Sequence, residues 1–166
     1  RPPGALHEVD LHRQLFNAPA LLGVLPGDEL FAHSVPLPGL CPSARTLDRA
    51  AMLLHLALHR AVHRVSPYFI GGRTYRGGDR LIWLVDILRV AERLDPADWK
   101  RVAALARRAG ALAVCREALA SAAERLGGAI PEEAMRLLGG DCGDGAASAY
   151  LLRSGAAGRA WRNLRA

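Results

Sequence analysis

The sequence predicts an α+β fold that is mainly helical, with a few short strands in the first 46 residues and then a bundle of about five helices. Three observations lead there. Residues 1–46 are rich in Pro and Gly and contain the alternating stretch "EVDLH", Glu8 to His12. From Thr46 onward apolar residues recur at helical spacing, in segments broken by Gly-Gly or opened by Pro. Hydrophobic residues make up 51% of the 166 and charged residues 23%, enough apolar content for an ordered core of one-domain size.

In "EVDLH", Val9 and Leu11 face one way while Glu8, Asp10 and His12 face the other, as in a half-buried strand. Aspartate forms strands poorly, so Asp10 is either a solvated surface residue or one carboxylate of a site. "FNAPALLGVLPGDEL" follows as a loop leading to a short helix at Asp28 to His33. "VPLPGLCPSARTL" reads as two extended segments around a turn, because Pro36, Pro38 and Pro42 exclude a helix.

Thr46 is the expected cap of a helix from about Leu47 to Arg64. "SPYFIGGRTYRGG" is expected to be a loop with two Gly-Gly turns, and a helix from about Asp79 to Leu94 carries "LIWLVDILRVA". "DPAD" supplies a strong start: Asp95 as cap, Pro96 at the first helical position and Asp98 in the first turn. That helix should stop near Gly110. The next spans about Ala111 to Leu126 before Gly127-Gly128, and Pro131 opens a short one ending at Gly139-Gly140. "GGDCGDG" reads as a flexible linker, and the Arg-rich tail to Ala166 as one or two weak helices. The chain thus divides into a strand and loop region (1–46), a helical domain (47–138) and a linker with tail (139–166).

The net charge is +6, carried almost wholly by arginine, since Lys100 is the sole lysine. Such a charge permits an anionic partner, yet the arginines spread through every helix among sixteen acids rather than gathering on one face, which disfavours nucleic acid. Cys41, Cys115 and Cys142 are isolated and odd in number, so a zinc knuckle or disulfide framework is not expected and a cytoplasmic setting is the simplest. Apolar runs fall short of the roughly 20 residues that span a bilayer, so a membrane partner is not expected.

Four groups of side chains could carry chemistry. His55, His59 and His63 recur at i, i+4, i+8 and form one helical stripe. Neighbours in it could share a divalent metal with a ligand from another element, or the stripe is a polar seam of a helix packed on its Leu54, Leu58 and Val62 side. Asp86 is the one charge between Arg80 and Arg89. On so apolar a helix it should be paired, with His59 or with an arginine of the 73–80 loop, as a structural link between helices. Arg73, Arg76 and Arg80, among glycines, could hold a phosphate, although the segment matches neither GxxxxGK[ST] nor GxGxxG. The tail arginines Arg153, Arg159, Arg162 and Arg165 fit a nucleic-acid contact or a solvated face equally well. The serines lie in no GxSxG elbow, and local sequence suggests no Cys–His arrangement.

The ordered segments "EVDLHRQLF", "RTLDRAAMLLHLALHRAVH" and "YRGGDRLIWLVDILRVAERLDPADWKRVAALARRAG" resemble the carboxy-terminal part of a poorly characterised nucleotidyltransferase family of the polymerase-beta-like superfamily. The resemblance runs from about His7 to Leu138. It implies that residues 1–46 complete a small nucleotidyltransferase-like sheet. Asp10 would take the third-carboxylate position, as catalytic residue and Mg²⁺ ligand, with His12 beside it. His59 and Asp86 would sit on framework helices around the cleft. Three carboxylates suit hard cations that bridge a triphosphate and an attacking hydroxyl.

The family's Gly-Ser turn and Asp-x-Asp pair do not occur in these residues. The resemblance therefore implies a fragment: the carboxy-terminal portion of an enzyme moving NMP from an NTP to an unknown acceptor with Mg²⁺, inactive by itself and completed by an upstream domain or a partner chain. The other reading of a different class is a non-catalytic helical binding or scaffold module. An Arg-rich nucleic-acid-binding domain is a third.

Overall fold

The computed structural model describes residues 15–16, 21–64, 67–76, 78–139 and 145–152, and they are mainly helical with short strands, as the sequence predicts. The expected strand at Glu8 to His12 lies outside the described residues. Helix α1 (Gly27–Ala32) sits within one residue of its expected place. Strands β1 (Val35–Pro36) and β2 (Arg45–Thr46) pair antiparallel around the proline-rich turn, with Val35 opposite Thr46. Arg45 closes the pair by donating from Nε to Ser34 Oγ (2.6 Å) and from Nη2 to the Ser34 carbonyl (2.5 Å).

Helix α2 (Arg49–His63) begins two residues later than expected, because Asp48 rather than Thr46 caps it. The Asp48 carboxylate accepts from the Ala51 amide at 2.8 Å. Its other oxygen accepts from Arg101 Nη2 at 2.9 Å, so one side chain both starts α2 and ties it to helix α4 (Pro96–Arg108). Ala50, Leu53, Leu54, Ala57, Leu58 and Ala61 form the buried face of α2, which packs against α3 (Leu81–Ala91), α4 (Pro96–Arg108) and α5 (Leu112–Leu126). Its alanines bring the neighbouring helices close, which makes α2 the centre of the bundle.

The segment expected as a loop with two Gly-Gly turns is instead a hairpin: β3 (Pro67–Ile70) pairs with β4 (Arg73–Arg76), Tyr68 opposite Tyr75. Gly71 (φ +54°) and Gly72 (φ +76°) supply the two positive φ angles that a two-residue turn between right-twisted strands demands.

Helix α4 carries the capping box read from "DPAD": the Asp95 carboxylate accepts from the Asp98 amide at 2.8 Å, and the Asp98 carboxylate accepts from the Asp95 amide at 3.3 Å. Helix α5 ends on Gly127 in the left-handed conformation, and α6 (Glu132–Leu137) follows Pro131. The tail carries a helix, as expected. Helix α7 (Ala146–Leu152) is docked, with Ala147 and Leu151 buried against α5 and α2. One continuous core joins Phe16, Leu21 and Leu25 to the helices from α2 to α7.

Candidate functional site

Along α2 the core phase is broken at one position. Arg60 falls in register with Leu53, Ala57 and Ala61 and is 1% exposed. Its guanidinium grips Asp79 through both oxygens, Nε to Oδ1 and Nη2 to Oδ2, each at 2.7 Å. It also donates to Glu117 on α5, Nη1 to Oε2 at 2.5 Å. Arg64 Nη1 (2.8 Å) and Ser121 Oγ (3.1 Å) donate to the remaining Glu117 oxygen. Burial pulls the Arg60 pKa down, but the Glu117 and Asp79 hydrogen bonds outweigh it and leave the pKa above its ordinary value. Burial likewise works to raise the Glu117 pKa, and Arg60, Arg64 and Ser121 bring it below the usual carboxylate range. This network pins the segment before α3 to the seam of α2 and α5.

The opposite face of α2 carries the histidine stripe. His55 and His59 are half-buried and His63 is exposed, with ring centroids 5.8 Å apart for the first pair and 4.3 Å for the second. Leu54 and Leu58 are fully buried on the other side of the helix, so the polar-seam reading describes the packing. Trp83, on the first turn of α3, closes on the stripe. It meets His59 edge-on at 5.9 Å and His63 at 6.3 Å, and the Arg80 guanidinium lies over it with Cζ 5.3 Å from the ring centre. Phe16 packs on His55 at 5.8 Å.

Burial pushes the His59 pKa down to about 4, helped by His63, His55 and Arg80. Burial alone lowers His55, and burial with Arg80 lowers His63. The stripe is therefore a row of neutral imidazoles at pH 7. His55 Nδ1 is buried and has no hydrogen-bond partner among the described residues.

The His59 pKa sets the sign of an acid effect. Between pH 6.5 and about 4 the unfolded chain takes up a proton at His59 that the folded chain refuses, so stability falls as pH falls through that window. Because water reaches part of the ring, the loss attributable to His59 between pH 7 and pH 5 is about 1 kcal/mol. Urea midpoints at the two pH values measure it, and His59→Gln should flatten that part of the profile.

Asp10 and His12 lie outside the described residues. Arg73 is exposed on β4, whose last residue is Arg76, and Arg80 is exposed beside Trp83. The expected His59–Asp86 link is not formed: His59 is occupied by aromatic neighbours, and half-buried Asp86 makes no hydrogen bond or ion pair among the described residues. The interhelical ion cluster is real but belongs to Arg60, Asp79 and Glu117. A charged residue in the apolar phase of α2 was the available signal, while partners 19 and 57 positions away were not readable. Among the described residues no group of three or more His, Cys, Asp or Glu is arranged to hold a metal ion. The stripe is thus not a three-histidine metal centre, and the described residues offer no donor set that fits Mg²⁺.

A cleft of about 480 Å³ lies elsewhere, between residues 22–26, the end of α4 and Ala147. Polar and apolar surface share its lining about equally, and its two charged side chains, Glu29 and Arg108, neutralise each other in an ion pair. Cys115 is fully buried, its thiol pushed up to about 12, and is inert. No helix of the described residues is long and apolar enough to cross a membrane.

Neither the curated proteins nor the solved structures yield a match to this chain. A family profile does match, described as "Uncharacterised nucleotidyltransferase", over residues 3–127 of the 166. The span takes in Asp10, the histidine stripe, Trp83 and the whole Arg60 network, and stops where α5 stops rather than at Leu138. With three quarters of its length inside that match, the chain belongs to this nucleotidyltransferase family.

Proposed function

We propose that this chain is the carboxy-terminal portion of a nucleotidyltransferase that moves NMP from an NTP to an acceptor with Mg²⁺. Asp10 serves as one carboxylate of the metal cage. The observation that carries the reading is the family match, which runs from residue 3 through the strand-like "EVDLH" and the four central helices. In this reading the helices are a framework for the site, and Asp10 supplies its third carboxylate. A lone carboxylate binds Mg²⁺ weakly, so the reading requires the Gly-Ser turn and the Asp-x-Asp pair from residues beyond these 166. It follows that these residues alone do not turn nucleotides over. Mg²⁺, when bound, would neutralise the triphosphate, and the protein would contribute mainly positioning.

The test uses the protein as its host makes it, with intact mass and amino-terminal sequence determined first. Asp10→Asn is expected to abolish Mg²⁺-dependent pyrophosphate release from a mixture of the four NTPs while leaving the melting temperature nearly unchanged. Full activity in that variant, or a parent protein that releases no pyrophosphate, would overturn the reading.

A further inference from the structure

His59 and His63 stand one turn apart on α2 and differ from the rest of the stripe. Their ring centroids are 4.3 Å apart, against 5.8 Å for His55 and His59. His55 packs on Phe16, whereas His63 is exposed and His59 is only half-buried. Among the described residues, neither His59 nor His63 makes a hydrogen bond or ion pair; their contacts are with each other, with His55 and with Trp83. Their ring nitrogens are thus not committed to a protein partner there.

The spacing suits one ion. Two imidazoles on the same metal, with bonds of about 2.0–2.1 Å and an angle of roughly 90–109° between them, hold their ring centres about 4.5–5.2 Å apart. The pair at 4.3 Å reaches that range by a small turn about χ2, a soft torsion in histidine, and exposed His63 has room to make it. The 41° tilt between the two rings is compatible with this, because each ring has only to aim one nitrogen at the ion. Both rings are neutral at pH 7, so a metal displaces no proton from them. Imidazole nitrogen suits zinc, nickel and copper rather than magnesium. The described residues add no third His, Cys, Asp or Glu, which leaves the other coordination positions to water. Arg80 is the opposing charge. It lies over Trp83, lowers the pKa of both rings, and repels a dication as it repels a proton.

We propose that His59 and His63 form an open, two-imidazole site for a divalent transition ion of the zinc, nickel and copper class. The site is independent of the nucleotidyltransferase reading and differs in chemistry from Mg²⁺ held by carboxylate oxygens.

Titrating Zn²⁺ into the full-length protein at pH 7, with the histidine ring C–H signals followed by NMR, tests it. The His59 and His63 signals should move together and saturate at one shared midpoint, and Mg²⁺ should leave both unmoved. His63→Ala should raise the midpoint read at His59 about 100-fold, since a tethered second donor adds roughly two orders of magnitude or more. Arg80→Gln should lower the midpoint severalfold by removing the repulsion. Rings that do not move, rings that respond at different midpoints, or an unchanged His59 midpoint in His63→Ala would each overturn the proposal. So would weaker binding in Arg80→Gln, which would place the ion away from the stripe. Should His63→Ala fail to fold by circular dichroism, His63→Gln, which keeps a polar side chain without an imidazole, decides the matter. Loss of activity in Asp10→Asn would leave this outcome untouched, so the two readings fail separately.

Discussion

Asp79→Ala is expected to lower the unfolding free energy by about 3 kcal/mol, at the lower end of the 3–5 kcal/mol that follows breaking a buried ion pair. The reason is the charge left behind. Arg60 is 1% exposed and Asp79's side chain 5%, so Arg60 would lose two 2.7 Å hydrogen bonds with no water to replace them. Glu117 still faces Arg60, which keeps the loss from being larger. Glu117→Gln should cost less, because that carboxylate is 33% exposed and solvent can compensate. Replacing both partners, as Arg60→Met with Asp79→Leu, should recover part of the loss, since two apolar side chains leave no stranded charge. A double-mutant cycle by urea denaturation measures the coupling, and additive single effects would show that the pair is not formed. Asp79 precedes Arg80 in the chain, so its loss should also free the approach to α3 and with it the placement of Trp83.

The contrast between Asp79 and Asp86 shows what the sequence carried and what it did not. Asp86 stands out because its neighbours are apolar, and a buried ion pair was expected there. Asp79 sits in "GGDR", where a charge looks unremarkable. The pairing depends on how three segments meet, Arg60 on α2, Asp79 before α3 and Glu117 on α5, and local sequence holds no record of that meeting. Helix ends were legible wherever a local interaction sets them: Asp95 with Pro96 and Asp98, Gly127 in its left-handed conformation, Pro131 before α6. The start of α2 moved because two cap residues, Thr46 and Asp48, compete. Asp48 gains a second bond from Arg101, which comes from a helix far along the chain. The hairpin at 67–76 was missed because Gly71-Gly72 and Gly77-Gly78 look alike in sequence, and nothing local says that Gly71-Gly72 joins two paired strands.

The histidine stripe was legible as spacing, and its reading as a metal centre with a ligand from another element was not sustained. Spacing of four places imidazoles on one face, but the choice between chelation and packing depends on what else arrives there. Trp83, Arg80 and Phe16 arrive, with no third or fourth ligand from a described carboxylate. The resemblance located Asp10 and His12 by motif order alone, and their side chains lie outside the described residues.

Gly145→Ala is expected to undock α7 and cost about 2–3 kcal/mol, the free energy of exposing a buried leucine with part of its neighbours. A Cβ at position 145 would stand 2.2 Å from the Gly110 Cα and 2.6 Å from its carbonyl oxygen. Both are backbone atoms at the turn between α4 and α5, where Gly110 holds φ at +61°, so neither can give way as a flexible side chain would. Moving the tail is the cheaper relief. It breaks the bonds that Ser148 donates to the Gly110 carbonyl, from its amide at 3.0 Å and its hydroxyl at 2.8 Å, and exposes Ala147 and Leu151. Water replaces those two bonds in the undocked tail, so they add little and the apolar surface sets the scale. Leu151→Ala should therefore lower stability by a similar amount without touching Gly110, while Ser148→Ala should cost only about 1 kcal/mol. Amide exchange separates local from global effects: Gly145→Ala should speed exchange in α7 and leave the slowest amides of α2 shifted only by the change in global stability. Unaltered α7 protection in Gly145→Ala would mean that the Gly110–Gly145 contact does not hold the tail. The family match ends at residue 127, so α7 lies beyond it, and loss of its docking should leave the histidine seam and the Arg60 network in place.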